Sequence, residues 1–121
     1  MKVIIAGGRD FDSYDFMCYH INKLIESGLE IEEIVSGCAR GADTLGLEFA
    51  TRNNIPVKMF PANWDAYGRR AGILRNEDMG DYADYLIAFW DGQSRGTKHM
   101  IEYMKKIGKH GVVINYEKRF S

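Results

Sequence analysis

Apolar residues fall into five short runs along the chain, each closed by glycine, proline or small polar residues, and the stretches between them change to helical spacing. Runs of this kind alternating with a period near 3.6 are the pattern of βα units around a parallel sheet. The strands predicted are residues 2–6, 31–36, 56–60, 85–90 and 111–115. The first helix is the most clearly written. Asp12 or Ser13 can cap it, Tyr14, Met17, Cys18, Ile21, Leu24 and Ile25 share one face, and Gly28 can close it. Ala42, Leu45, Phe49 and Ala50 give a second helix its inner face, as Met100, Ile101, Met104 and Ile107 do for the last. A helix over 71–82 is less regular and polar at its start.

Every connection is long enough for a right-handed crossover, so the expected fold is α/β, a single domain over 1–121. Its architecture is a three-layer α/β/α sandwich with a five-stranded parallel sheet in order 3-2-1-4-5. Ligands of such sheets bind beyond the carboxyl ends of the strands, where the winding reverses, here between strands one and four.

Composition removes several function classes. Sixteen basic against seventeen acidic side chains give a net charge of −1, so bulk charge does not draw this chain to nucleic acid. The apolar run near the start is too short for a signal peptide or a membrane span, and a cytoplasmic location without membrane contact is the expectation. Cys18, Cys38 and the scattered histidines have no metal-ligand spacing, so the cysteines are read as reduced and neither metal nor cofactor is expected.

Four segments follow the strands on the ligand side: "GGRDF" from Gly7, "SGCARGAD" from Ser36, "PANWDAYGRRAGILRN" from Pro61 and "WDGQSRGT" from Trp90. They hold or border Arg9, Arg40, Arg69, Arg70, Arg75 and Arg95, leaving only Arg52 and Arg119 elsewhere. The lysines lie outside them, with Lys98 alone coming close. A solvated surface is indifferent to which cation it uses, whereas a phosphate or carboxylate site favours the planar, bidentate guanidinium. The partition therefore points to an anion site at one end of the sheet. Gly37 and Gly41 would let backbone amides turn toward a ligand at the start of the second helix, and Gly96 and Thr97 would do so at the last. No glycine-rich run ends in Lys-Ser or Lys-Thr, and "GGRDFD" lacks the three-glycine dinucleotide fingerprint, so a P-loop ATPase and an ordinary nicotinamide dehydrogenase are disfavoured.

The ordered set "GGRDF", "SGCARGAD", "NWDAYGRRAGILRNEDM" and "WDGQSRGT" resembles the SLOG superfamily, and within it the small stand-alone proteins of the YspA or DUF2493 group, related to YpsA. "SGCARGAD" is similar to a segment of Smf/DprA DNA-processing proteins, and "RGT" to the phosphate loop of Lonely Guy enzymes. The resemblance implies a Rossmann-like sandwich whose loops hold nucleotides or nucleotide-derived ligands. It implies that Gly8 and Arg9 approach the ligand from strand one, and that Ser36, Gly37, Arg40, Gly41 and Asp43 form a second wall. Arg75, Asn76 and Met79 match an arginine-bearing helix, and Gly92, Ser94, Gly96 and Thr97 would hold phosphate. Lonely Guy enzymes carry a catalytic glutamate where this chain has Met100, and Glu102 lies on another face. A glycosidase without that carboxylate loses the group that stabilises its oxocarbenium-like transition state.

Asp10, Asp43 and Asp91 can orient a ribose hydroxyl or act as a base, but pairing with Arg9, Arg40 or Arg95 to hold the loops is the simpler reading. Asp43 also suits the first turn of a helix. Trp64 and Tyr67, on a polar loop, are candidates for stacking on a base, while Trp90 at a strand end is read as packing. His20, His99 and His110 receive no role. The expected function is binding or sensing of a nucleotide or nucleotide-derived phosphorylated small molecule. The alternatives are an N-glycosidase or phosphoribohydrolase acting on nucleoside monophosphates, and single-stranded DNA binding, which the lack of a lysine track disfavours. A homodimer is expected from base rate and family habit only.

Overall fold

The computed structural model describes residues 1–117; Lys118 and Arg119 lie outside the described residues. The elements are β1 (Lys2–Gly7), α1 (Tyr14–Glu26), β2 (Glu33–Ser36), α2 (Ala42–Arg52), β3 (Val57–Met59), α3 (Trp64–Tyr67), a 3-10 turn (Gly68–Arg70), α4 (Ala71–Tyr82), β4 (Tyr85–Trp90), α5 (Arg95–Lys106) and β5 (His110–Asn115). All five strands are parallel, in the order β3-β2-β1-β4-β5. This is the parallel α/β arrangement that the periodicity predicts, and the Rossmann-like one that the resemblance implies.

The central strands explain why their sequences read as unbroken apolar runs. Along β1, Val3 and Ile5 face one core and Ile4 and Ala6 the other, because successive side chains of a strand point to opposite faces. Met17 and Ile21 of α1 and Phe49 of α2 cover the first face; Met79 of α4 with Met100 and Met104 of α5 cover the second. The edge strands β3 and β5 are only partly covered, and both β3, predicted over 56–60, and the interior β2, predicted over 31–36, are shorter than the apolar runs that predicted them.

Of the two predicted caps for α1, Ser13 is the one used, its Oγ accepting from the Phe16 amide at 3.3 Å. The helix predicted over 71–82 is α4, with those bounds, and ahead of it stands a separate helical turn that was not predicted, α3, capped by Asn63, whose Oδ1 accepts from the Ala66 amide at 3.1 Å. No helix among the described residues is long and apolar enough to cross a membrane.

Candidate functional site

β1 and β4 end side by side, with Gly7 opposite Phe89, and the chain leaves them toward opposite faces of the sheet. A cleft of about 540 Å³ opens at this divergence. Gly8, Arg9 and Asp10 form one wall, Asp43 and Arg75 a second, and Ser94, Gly96 and Thr97 a third. Asn76 and Met79 of α4 and the buried Met100 of α5 complete the lining. Nine of the fifteen residues predicted from sequence thus meet in one place. Gly37, Arg40 and Trp64 line an adjoining groove of about 290 Å³, which also takes in Arg9 and Arg75. Ser36, Gly41 and Gly92 do not line the cleft.

The β2–α2 loop uses several of its polar groups internally. Ser36 is fully buried, donating to the Asp43 carbonyl at 3.3 Å and accepting from the Cys38 amide at 3.2 Å. The Ala39 amide donates to Asp43 Oδ2 at 3.2 Å, and the Ala42 amide to the Gly8 carbonyl at 3.2 Å. Gly41 has φ +78, and a Cβ there would collide with the Gly8 carbonyl oxygen and lie 2.7 Å from Arg9 Cα. Its glycine is therefore required by contact between two stretches of backbone. At Gly37 a Cβ would sit 2.6 Å from Arg75 Nη1, so this glycine makes room for a guanidinium, which donates to the Gly37 carbonyl.

The β4–α5 turn is built differently. Asp91 Oδ1 accepts from the Gln93 and Ser94 amides, both at 2.9 Å, and Ser94 caps α5, its Oγ accepting from the Thr97 amide at 3.4 Å and lying 3.0 Å from Thr97 Oγ1. Trp90, read as packing, half-buries its indole and donates from Nε1 to the Ser94 carbonyl at 3.1 Å. The Arg95 and Gly96 amides have no hydrogen-bond partner among the described residues. A Cβ on Gly96 would meet nothing within 4 Å. Among the described residues nothing calls for glycine at this position, in the first turn of a helix where glycine is unfavourable by up to about 1 kcal/mol.

Asn76 ties the two halves together. Its Oδ1 accepts from Arg75 Nε at 3.1 Å, and its Nδ2 lies 3.1 Å from the Gly96 carbonyl and 3.2 Å from His99 Nδ1. The side chain is buried and acts as a brace between α4 and α5. By contrast, the guanidinium groups of Arg9, Arg40, Arg69, Arg70 and Arg95 are exposed and make no hydrogen bond or ion pair with other described residues.

The carboxylates of the cleft have hydrogen-bond partners of their own. Asp10 accepts from Tyr116 Oη at 2.7 Å, and Asp91 caps its own turn. Asp43 is 5% exposed, and burial raises its pKa to about 6 against the opposing pull of the Ala39 amide, Arg75, Arg9 and the Gly37 amide. Desolvation at the cleft wall disfavours its charged form and moves its titration up into mild acidity.

A family model described as the YspA, cpYpsA-related SLOG family matches residues 1–67. The chain belongs to that family. The matched stretch of the SLOG family carries β1, the β2–α2 loop and α3, while Arg75, Asn76 and the Ser94–Thr97 turn lie beyond it. The Gene 61 protein of Mycobacterium phage D29 is 36% identical over 81 residues, which is 62% of this chain and 65% of that protein. The chain's match therefore spans less than two thirds of this relative's length.

Arg69, Arg95 and His99 stand at a further groove beside the cleft without having been singled out as site residues. The arginines carried a signal in the partition of cations. His99 carried one in its spacing, four residues after Arg95 and three after Gly96, which places all three on one side of α5.

Proposed function

We propose that the cleft binds a nucleotide or nucleotide-derived phosphorylated small molecule, with a phosphate seated on the β4–α5 turn. The Arg95 and Gly96 amides and the Ser94 and Thr97 hydroxyls face it from the amino end of α5, and Arg9 supplies charge from across the cleft. Arg75 has a bracing role toward Gly37 and Asn76 in addition to its charge. The observation that carries the reading is Gly96: a first-turn glycine with open space over it and an amide without a partner, opposite an exposed guanidinium. Such a turn receives a phosphate oxygen because the amide and the helix dipole both favour negative charge there.

The test is a thermal-shift screen of the chain with nucleoside mono- and diphosphates, cyclic nucleotides and ADP-ribose derivatives. Ligand at about a hundred times its dissociation constant adds roughly 2.7 kcal/mol of stability. Arg9→Ala removes the shift without unfolding the protein. A melting temperature indifferent to every compound overturns the reading.

A second reading, hydrolysis of the N-glycosidic bond of a nucleoside monophosphate, is favoured by one observation: Asp43 is a carboxyl group in the cleft wall with a pKa raised to about 6, within the range a general acid needs. Against it, Met100 is apolar and 1% exposed, and Glu102 is exposed and pairs with Lys98 at 3.9 Å. Release of free base from nucleoside monophosphates decides between binding and hydrolysis.

A further inference from the structure

A groove of about 290 Å³ runs alongside the cleft, sharing Arg9, Arg75, Asn76 and Gly96 with it. Its other lining comes from Trp64, Arg69, Ile73, Arg95 and His99. Trp64 is 50% exposed and Ile73 48%. The indole is not loose: a Cβ on Gly72 would lie 3.4 Å from Trp64 Cη2, so the ring rests over the first turn of α4. Beside this apolar surface, Arg9, Arg69 and Arg95 have no hydrogen-bond or ion-pair partner among the described residues. Like charges gathered around one groove repel each other, and a bound polyanion relieves that repulsion.

His99 adds a directed donor. Asn76 Oδ1 faces Arg75 Nε, which can only donate, and Asn76 Nδ2 faces the Gly96 carbonyl, which can only accept, so the orientation of the amide is fixed. The same Nδ2 lies 3.2 Å from His99 Nδ1. That nitrogen accepts from the amide, which leaves Nε2 as the ring nitrogen presented to the groove as a donor.

We infer that this groove is a second phosphate and ring-stacking subsite, and that the ligand is a nucleotide with two phosphoryl groups separated by its sugar, of the nucleoside bisphosphate class. The inference rests on the reading of the cleft as a phosphate site. One phosphoryl group sits on the Gly96 turn, the second lies among Arg69, Arg95 and His99 beyond the shared wall, and the base covers Trp64. A contiguous diphosphate stays on one side of that wall and gains less.

Isothermal titration of the full chain with AMP, ADP and adenosine 3′,5′-bisphosphate, and with the guanosine equivalents, tests this. For the preferred base, the bisphosphate binds at least about tenfold more tightly than either the monophosphate or the contiguous diphosphate, the value of one charge-assisted hydrogen bond. Arg69→Ala and His99→Leu each remove that advantage and leave monophosphate affinity within about twofold, while His99→Gln, which keeps a donor near Nε2, retains part of it. A bisphosphate no tighter than the monophosphate overturns the inference while leaving the cleft reading intact, as does an equal loss of both ligands in the groove variants. Failure of every mononucleotide and bisphosphate to bind overturns both.

Discussion

The β2–α2 loop and the β4–α5 turn look alike in sequence, each a glycine and arginine turn opening a helix, and they do opposite work. In the first, the amides of Cys38, Ala39 and Ala42 are consumed by Ser36, Asp43 and Gly8, and Gly37 and Gly41 are shaped by a guanidinium and a neighbouring backbone. In the second, the Arg95 and Gly96 amides are unused among the described residues, and Gly96 looks onto open space. The lesson is that a glycine-rich turn is a binding surface only when its glycines have no internal reason to be there. One loop is tied down by its own contacts; the other leaves two amides for which we propose a phosphate partner.

The largest effect expected from this contrast is at Gly41. Gly41→Ala places a methyl against the Gly8 carbonyl in a backbone conformation that L-residues rarely adopt, since φ is +78. Strain and overpacking together destabilise the fold by about 3 kcal/mol or more. Chemical denaturation of the variant measures it, and a loss under about 1 kcal/mol removes the claim that this glycine is fixed by packing.

Asp43 gives the next effect, through pH. Its folded-state pKa of about 6 exceeds the ordinary 3.8, so the folded state holds the proton more tightly than the unfolded chain. Its contribution to stability is full below about pH 4 and is lost as pH rises through about 6, by up to about 3 kcal/mol. Asp43→Asn therefore flattens the stability profile between pH 4 and 6 relative to the parent. Parallel profiles for the two proteins contradict the assignment.

Arg75→Ala comes third. The guanidinium donates to the Gly37 carbonyl and to Asn76 Oδ1, so its loss unpins the β2–α2 loop and loosens the brace between α4 and α5. A stability loss of about 1–3 kcal/mol is expected for a charged donor to a partly buried acceptor. Hydrogen exchange checks where the loss falls: amides of residues 37–43 exchange faster, while those of β1 and β4 do not.

How much of this was legible follows from what sequence encodes locally. Strand order and layers were readable because β1 and β4 are apolar on both faces, which only a buried parallel sheet satisfies, and because the helices keep a 3.6 period. The arginine partition located the right end of the sheet, since a preference for guanidinium over ammonium is a property of residue type. What could not be read was which polar groups are already satisfied. That Gly41 serves Gly8, that Asp10 serves Tyr116 across 106 residues of chain, and that Asn76 orients His99 are pairings of distant segments. α3 was missed for a smaller reason: four residues are too few for periodicity, though Asn63 ahead of Asp65 was a capping signal.

The smallest stability effect belongs to Gly96, and it sharpens the comparison most because its two readouts move in opposite directions. An added Cβ meets nothing within 4 Å, and the backbone is outside the left-handed region, so alanine adopts it freely. Replacing glycine in the first turn of α5 leaves stability unchanged or raises it by up to about 1 kcal/mol. The methyl group nevertheless stands where a phosphate oxygen would meet the Gly96 amide, so nucleotide affinity falls by about tenfold or more, as expected when a charge-assisted hydrogen bond is lost. A variant that is at least as stable as the parent yet no longer shifts its melting temperature with nucleotide separates presentation from scaffolding in one measurement. If Gly96→Ala binds as the parent does, the β4–α5 turn is another wall, and the distinction between the two loops disappears.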